Sequence, residues 1–161
     1  MRQVNDEQLL TRPGSFVVGC NYWASHAGTA MWSNWQPEVV REDLRQMAES
    51  GLQIIRVFPL WSDFQPITRL YTARGRPVEF RFGEAPLPPT PAGRAGVSEK
   101  SMQRFREFAD EADNAGLKLV VGLVTGWMSG RLFVPLGLQG RNVITDPLAV
   151  MWQVRFVRHF V

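Results

Sequence analysis

The chain has 161 residues, enough for one domain of ordinary size. With 45% hydrophobic and 20% charged residues it reads as a globular, soluble protein, which excludes a disordered or fibrous chain. The net charge of +3 is scattered from Arg2 to Arg158 without a block of like charges, so the pattern gives no support to a nucleic-acid partner.

Residues 1–15 form a polar lead-in ending at Pro13-Gly14. It carries acids and no apolar signal region, and no later run reaches membrane-spanning length. The expectation is a cytoplasmic protein without membrane contact, with secretion left open. Residues 16–23 are the first strand candidate, and Cys20, beside Val17, Val18 and Gly19, reads as a buried, inert thiol. Pro37 opens the first helix, where Val40, Leu44, Met47 and Ala48 make an apolar stripe at helical spacing, and Gly51 closes it.

The central stretch is 53–58, a continuous apolar run of the kind found in strands buried on both faces of a parallel sheet. Arg56 interrupts it with a permanent charge that is costly to bury without a partner. Strand, helix and strand make a βαβ unit. A long insertion follows at 60–97, rich in proline, and such a stretch is either functional or folded in its own right. Tyr71 and the alternation at 78–82 predict a small hairpin within it.

Ser98 is an N-cap for a second helix with Met102, Phe105, Phe108, Ala109 and Ala112 on one face. A third buried strand is expected over 117–124, and Asp146-Pro147 starts a third helix. Three βα units are therefore legible. An open sheet of three parallel strands leaves both edges unpaired, and a complete (β/α)8 barrel needs about 250 residues. The fold class is α/β, and residues 16–161 read as the N-terminal part of a larger domain.

Ligands in such folds bind at the C-terminal ends of the strands. Trp23, Trp61 and Trp127 each end a strand, where an indole either stacks on a sugar's C–H face or plugs the barrel; substrate contact is the reading adopted. Asp63 lies in the same layer and is assigned to a substrate subsite. Asn21 either reaches a sugar hydroxyl or a neighbouring loop, and His26 is a loop histidine near the same face. Two histidines and one cysteine give no metal-ligand cluster, and no glycine-rich phosphate loop follows a strand, so no metal or cofactor is expected.

The segments 19–23, 54–66, 124–130 and 144–147 resemble clan A glycoside hydrolases, with the closest likeness to family 5, the cellulase and β-mannanase group. The most specific stretch is Arg56-Val57-Phe58-Pro59-Leu60-Trp61-Ser62-Asp63-Phe64. The resemblance implies a (β/α)8 TIM barrel, with residues 16–161 as the N-terminal portion holding about its first three βα units, and a retaining glycosidase acting on β-linked mannan- or glucan-type carbohydrate. Its acid/base glutamate ends the fourth strand and its nucleophile the seventh, so neither lies in this chain. It places on Arg56 the family's arginine, which keeps the nucleophile ionised through charge-assisted hydrogen bonds. Many members end strand three with a substrate-contacting histidine. Here that stretch reads Gly126-Trp127-Met128, so either the contact is missing or Trp127 serves as a stacking platform.

A retaining site needs two carboxyl groups about 5 Å apart, and no second acid is placed beside Asp63. The chain is expected to be inactive alone, completed by a missing C-terminal barrel half or by self-association. The competing reading is a non-catalytic carbohydrate-binding or interaction module, and a weaker one is another TIM-barrel enzyme class.

Overall fold

The computed structural model describes Pro13, Gly14 and residues 16–161; the remainder of the polar lead-in lies outside the described residues. β1 (Gly19–Asn21) occupies only part of the run 16–23. α1 (Pro37–Glu49) begins on the proline whose fixed φ suits a first helical turn, and the chain leaves it through Gly51 at a left-handed φ of 87°. The helix turns Val40 and Leu44 fully inward. β2 (Ile54–Val57) follows directly.

The insertion is folded rather than a plain loop. α2 (Trp61–Phe64) is a single turn, and β3 (Thr68–Tyr71) pairs antiparallel with β4 (Pro77–Phe82), which is the predicted hairpin. β5 (Ala85–Pro86) adds a third short strand. α3 (Pro91–Ala95) is capped by the Thr90 hydroxyl, which accepts from the Gly93 amide. Gln65, fully buried, ties this region to the core: its amide donates to the carbonyls of Ala95 (2.6 Å) and Trp152 (3.0 Å).

α4 (Glu99–Asn114) starts at Ser98, whose hydroxyl accepts from the Ser101 amide as the sequence predicts, and it buries Met102, Phe108 and Ala112. β6 (Lys118–Val121) is the third strand, and β7 (Trp127–Met128) and β8 (Arg131–Leu132) form a minimal hairpin after it. A 3-10 turn at Leu136–Leu138 leads to α5 (Pro147–Phe160), where the Asp146 carboxylate accepts from the amides of Leu148 and Ala149.

β1, β2 and β6 form one parallel sheet in that order, with Cys20, Ile55 and Leu119 in one register row and Asn21, Arg56 and Val120 in the next. Each strand is followed by a helix, α1, α4 and α5 in turn, so the chain is three successive βα units of α/β architecture. The core is strongly aromatic: Trp32 packs on Trp35, Phe64, Phe105 and Phe108, and Phe160 extends the cluster through Phe105 and Phe156. Trp32 and Trp35 thus pack against the helical layer, and their indole N–H groups donate to the Phe58 carbonyl (2.8 Å) and Glu107 (2.9 Å). No helix among the described residues is long and apolar enough to cross a membrane.

Two expectations about the strands are corrected. Cys20 is exposed, because β1 is an edge strand bonded only to β2. The central strand is not buried on both faces: Ile55 and Val57 are fully buried, whereas Arg56 between them is exposed. Successive residues of a strand point to opposite sides, and here only the helix-facing side is covered.

Candidate functional site

The C-terminal ends of the three parallel strands open into a cleft of about 1420 Å³. Its floor is polar where a strand interior would ordinarily be apolar. Asn21 and Arg56 stand side by side as register partners on β1 and β2. The Arg56 guanidinium lies 4.7 Å from the centre of the Phe58 ring, and no carboxylate among the described residues pairs with it. Phe58 is backed by Trp23, stacked at 5.4 Å, which stiffens the platform beneath the arginine.

One wall is the β7–β8 hairpin. Ser129 and Gly130 both take positive φ (52° and 73°), the combination a two-residue type I′ turn requires. The turn presents Trp127, 67% exposed, on the cleft. Arg131 donates to the Thr29 hydroxyl (3.0 Å), which ties this hairpin to the loop after β1. Val124, also on the cleft, holds φ at 54°, a left-handed conformation that a β-branched side chain adopts only under strain of about 1–3 kcal/mol.

The opposite wall is the loop 139–144 with α5. The Asn142 side-chain oxygen accepts from the amides of Ile144 and Thr145, and the Gln153 amide donates to the Val143 carbonyl (2.5 Å). Arg141 pairs with Asp146 at 2.6 Å. The Ala149 amide at the start of α5, helped by that guanidinium and the Leu148 amide, holds the Asp146 carboxyl below the usual carboxylate range.

Of the residues singled out in the sequence, the structure brings Asn21, Arg56 and Trp127 together on this cleft. Trp61 also borders it but is fully buried, with its indole N–H donating to Gln65 (2.7 Å). Substrate stacking on Trp61 is therefore corrected: its ring is core, because α2 folds it under the strand end. Trp23 packs behind Phe58 instead of facing the opening. His26 shares a hydrogen bond of 2.8 Å with the Asn34 carbonyl, which makes Nε2 the protonated nitrogen and the ring a loop latch. Asp63 sits on α2 outside the cleft lining, half-buried, and burial pushes its carboxyl above the usual value. Arg141, Asn142 and Gln153 line the cleft and escaped sequence reasoning. The rule that loops after barrel strands form sites points to their segment but singles out no residue within it.

None of the described residues lining the cleft is Asp or Glu, and no group of three His, Cys, Asp or Glu among the described residues could hold a metal ion. The cleft offers hydrogen-bond donors, a fixed cation and an aromatic face, which suit a polyhydroxylated ligand or a carboxylate. It holds no acid–base pair of its own.

No family model matches the sequence, and a search of curated proteins finds no match. Solved structures do match. An exo-β-1,4-mannosidase from Opitutaceae bacterium strain TAV5 is similar over 89% of this chain, with 27% identity and a TM-score of 0.68. A GH5_18 protein from Streptomyces cattleya, in complex with Manβ1-4GlcNAc, is similar over 91%, with 26% identity and a TM-score of 0.70. A GH5_18 protein from Bifidobacterium longum shares the fold at 23% identity and a TM-score of 0.66. The chain spans 21% of the first of these proteins, 30% of the second and 29% of the third. The resemblance to glycoside hydrolase family 5 read from the strand-end motifs is thus matched by similarity in three dimensions.

Proposed function

We propose that this chain supplies the first three βα units of a (β/α)8 barrel that hydrolyses β-mannosides with retention of configuration. The observation that carries the reading is the Asn21–Arg56 pair: two polar side chains, adjacent in register, at the C-terminal ends of parallel strands and open to the cleft. A strand-interior arginine without a carboxylate of its own fits a partner that the rest of the barrel provides. A guanidinium there donates charge-assisted hydrogen bonds to a glutamate and keeps it ionised at neutral pH, as a nucleophile must be. The second glutamate protonates the leaving oxygen and then activates water, which makes the reaction a double displacement through a glycosyl-enzyme.

In this reading Asn21 donates to a sugar hydroxyl or to the nucleophile, and Trp127 covers a sugar's apolar face from the hairpin. A mannoside is favoured over a glucoside because a structurally similar protein is an exo-β-1,4-mannosidase and another holds Manβ1-4GlcNAc. The remaining strands, with both glutamates, come from further polypeptide.

The test is to follow Manβ1-4GlcNAc hydrolysis by proton NMR, using the protein expressed from its complete gene. The first mannose released is expected as the β anomer. Release of the α anomer would replace retention by inversion, and absence of any hydrolysis of β-mannosides would remove the substrate assignment.

A further inference from the structure

The main cleft does not stop at the loop 139–144. On the other side of the same loop lies a second hollow of about 530 Å³, sharing Gln139, Gly140, Arg141 and Asn142 with the first. Its remaining walls come from the insertion: Arg69 and Tyr71 of β3 face Thr145 and Asp146 across it. The two walls are fixed to each other. The Gly137 amide donates to the Ile67 carbonyl at 2.8 Å, and a side chain at Gly137 would press on Phe80 at 3.0 Å, so only glycine lets the 3-10 turn lie this close to the hairpin.

The charges in this hollow do not balance. Asp146 is engaged by Arg141 through one oxygen and by the α5 amides through the other. Arg69 has no acidic partner among the described residues, and its guanidinium rests over Phe80 at 5.1 Å and Tyr71 at 5.9 Å. Two arginines against one aspartate leave one positive charge. Beside it, Tyr71 is 53% exposed and offers a ring face.

We propose that this hollow is a distal subsite for a negatively charged sugar unit, with Arg69 holding its carboxylate or phosphate group and Tyr71 stacking on its ring. The two hollows share Gln139, Gly140, Arg141 and Asn142, so a substrate longer than a disaccharide reaches the second by crossing this loop. This substrate preference rests on the glycosidase reading of the main cleft, whereas the binding itself does not. The insertion that carries Arg69 and Tyr71 thereby becomes a specificity element.

The experiment measures binding of mannose, sodium glucuronate and mannose 6-phosphate to the protein expressed from its complete gene, by titration calorimetry at low salt. At least one of the two anionic sugars is expected to bind at least about tenfold more tightly than mannose, with the gain lost at high salt. Which of the two binds identifies the anion as carboxylate or phosphate ester. Arg69→Gln is expected to abolish that preference, and Arg69→Lys, which keeps the charge, to retain part of it. Circular dichroism confirms that both variants are folded. Equal affinity for mannose and both anions, or an unchanged preference in Arg69→Gln, overturns the proposal. Hydrolysis of an unbranched aryl β-mannoside is expected to be unaffected by Arg69→Gln. If the wild-type protein fails to hydrolyse that aryl mannoside yet still prefers the anionic sugar through Arg69, the glycosidase reading falls and the subsite stands.

Discussion

Ile55 and Arg56 are neighbours on one strand and have opposite surroundings. Ile55 lies fully buried beneath the helical layer, where Val40, Leu44, Phe108 and Ala112 complete a core that belongs entirely to this chain. Arg56 belongs to the other face, in a row with Asn21 and Val120, and all three are exposed. Parallel strands are ordinarily covered on both sides. The difference shows that the packed core is built on one face of this sheet and that the other face is open, with Asn21 and Arg56 as the polar residues of its floor.

The largest expected effect breaks the covered face. Ile55→Ala should cost about 3 kcal/mol of unfolding free energy in urea titration, the usual range for emptying a fully packed site. Arg56→Ala, one residue away, should change stability by no more than about 0.5 kcal/mol, as for an exposed side chain. In the protein expressed from its complete gene, Arg56→Ala should lower kcat/KM on a β-mannoside by about 10²–10³-fold, the effect of removing one preorganised donor. Equal destabilisation by the two variants would erase the distinction between the faces. Unchanged activity in Arg56→Ala would remove its assigned role.

Gln65 tests the covered face from its polar centre. It accepts from Trp61 and donates to two carbonyls while fully buried. Gln65→Leu should therefore cost about 2 kcal/mol, since apolar replacement strands the Trp61 N–H without a partner. A neutral result would mean that water replaces the amide.

The helix layer was legible in the sequence for local reasons. Pro37, Ser98 and Asp146 act at helix starts, which are decided by a few neighbouring residues, and all three helices begin where these predict. What the sequence could not show was which strand face would be covered. Apolar run length says that Ile55 and Val57 are strand residues, but Cys20 depends on whether anything packs over β1. Trp61 misled for a related reason. Its position at a strand end suggested exposure, yet the single turn of α2 returns the ring to the core, where Gln65 satisfies its N–H. That Asn21, Arg56 and Trp127 would lie at the open strand ends was legible because a polar or aromatic residue at the end of an apolar run is itself a signal. Arg141 and Asn142 had no such contrast around them.

A smaller effect is expected at the cleft rim. Val124 carries left-handed strain that glycine does not feel, so Val124→Gly should stabilise the protein by about 1 kcal/mol after the glycine's greater chain entropy is deducted. Stabilisation together with weaker mannoside binding would identify the strain as part of the open face's function. Destabilisation would mean that the Val124 side chain packs better than its backbone suggests.

The smallest effect separates Asp63 from the cleft. Its carboxyl is half-buried, has no side-chain partner among the described residues, and is pushed by burial above its ordinary value of 3.8. Between the unfolded value and the raised folded one, the native protein holds more protons than the unfolded chain. Stability attributable to this group therefore falls as pH rises through that window, and the deficit persists at neutral pH. Asp63→Asn removes the ionised form, so the variant should melt at a higher temperature than wild type at pH 7, and the gain should vanish once the pH drops below the unfolded value. A gain that persists in acid would assign the effect to packing instead of charge. If Asp63→Asn instead raised KM for β-mannosides at unchanged stability, the carboxylate would belong to the substrate face, and the boundary between the two faces would have to be redrawn through α2.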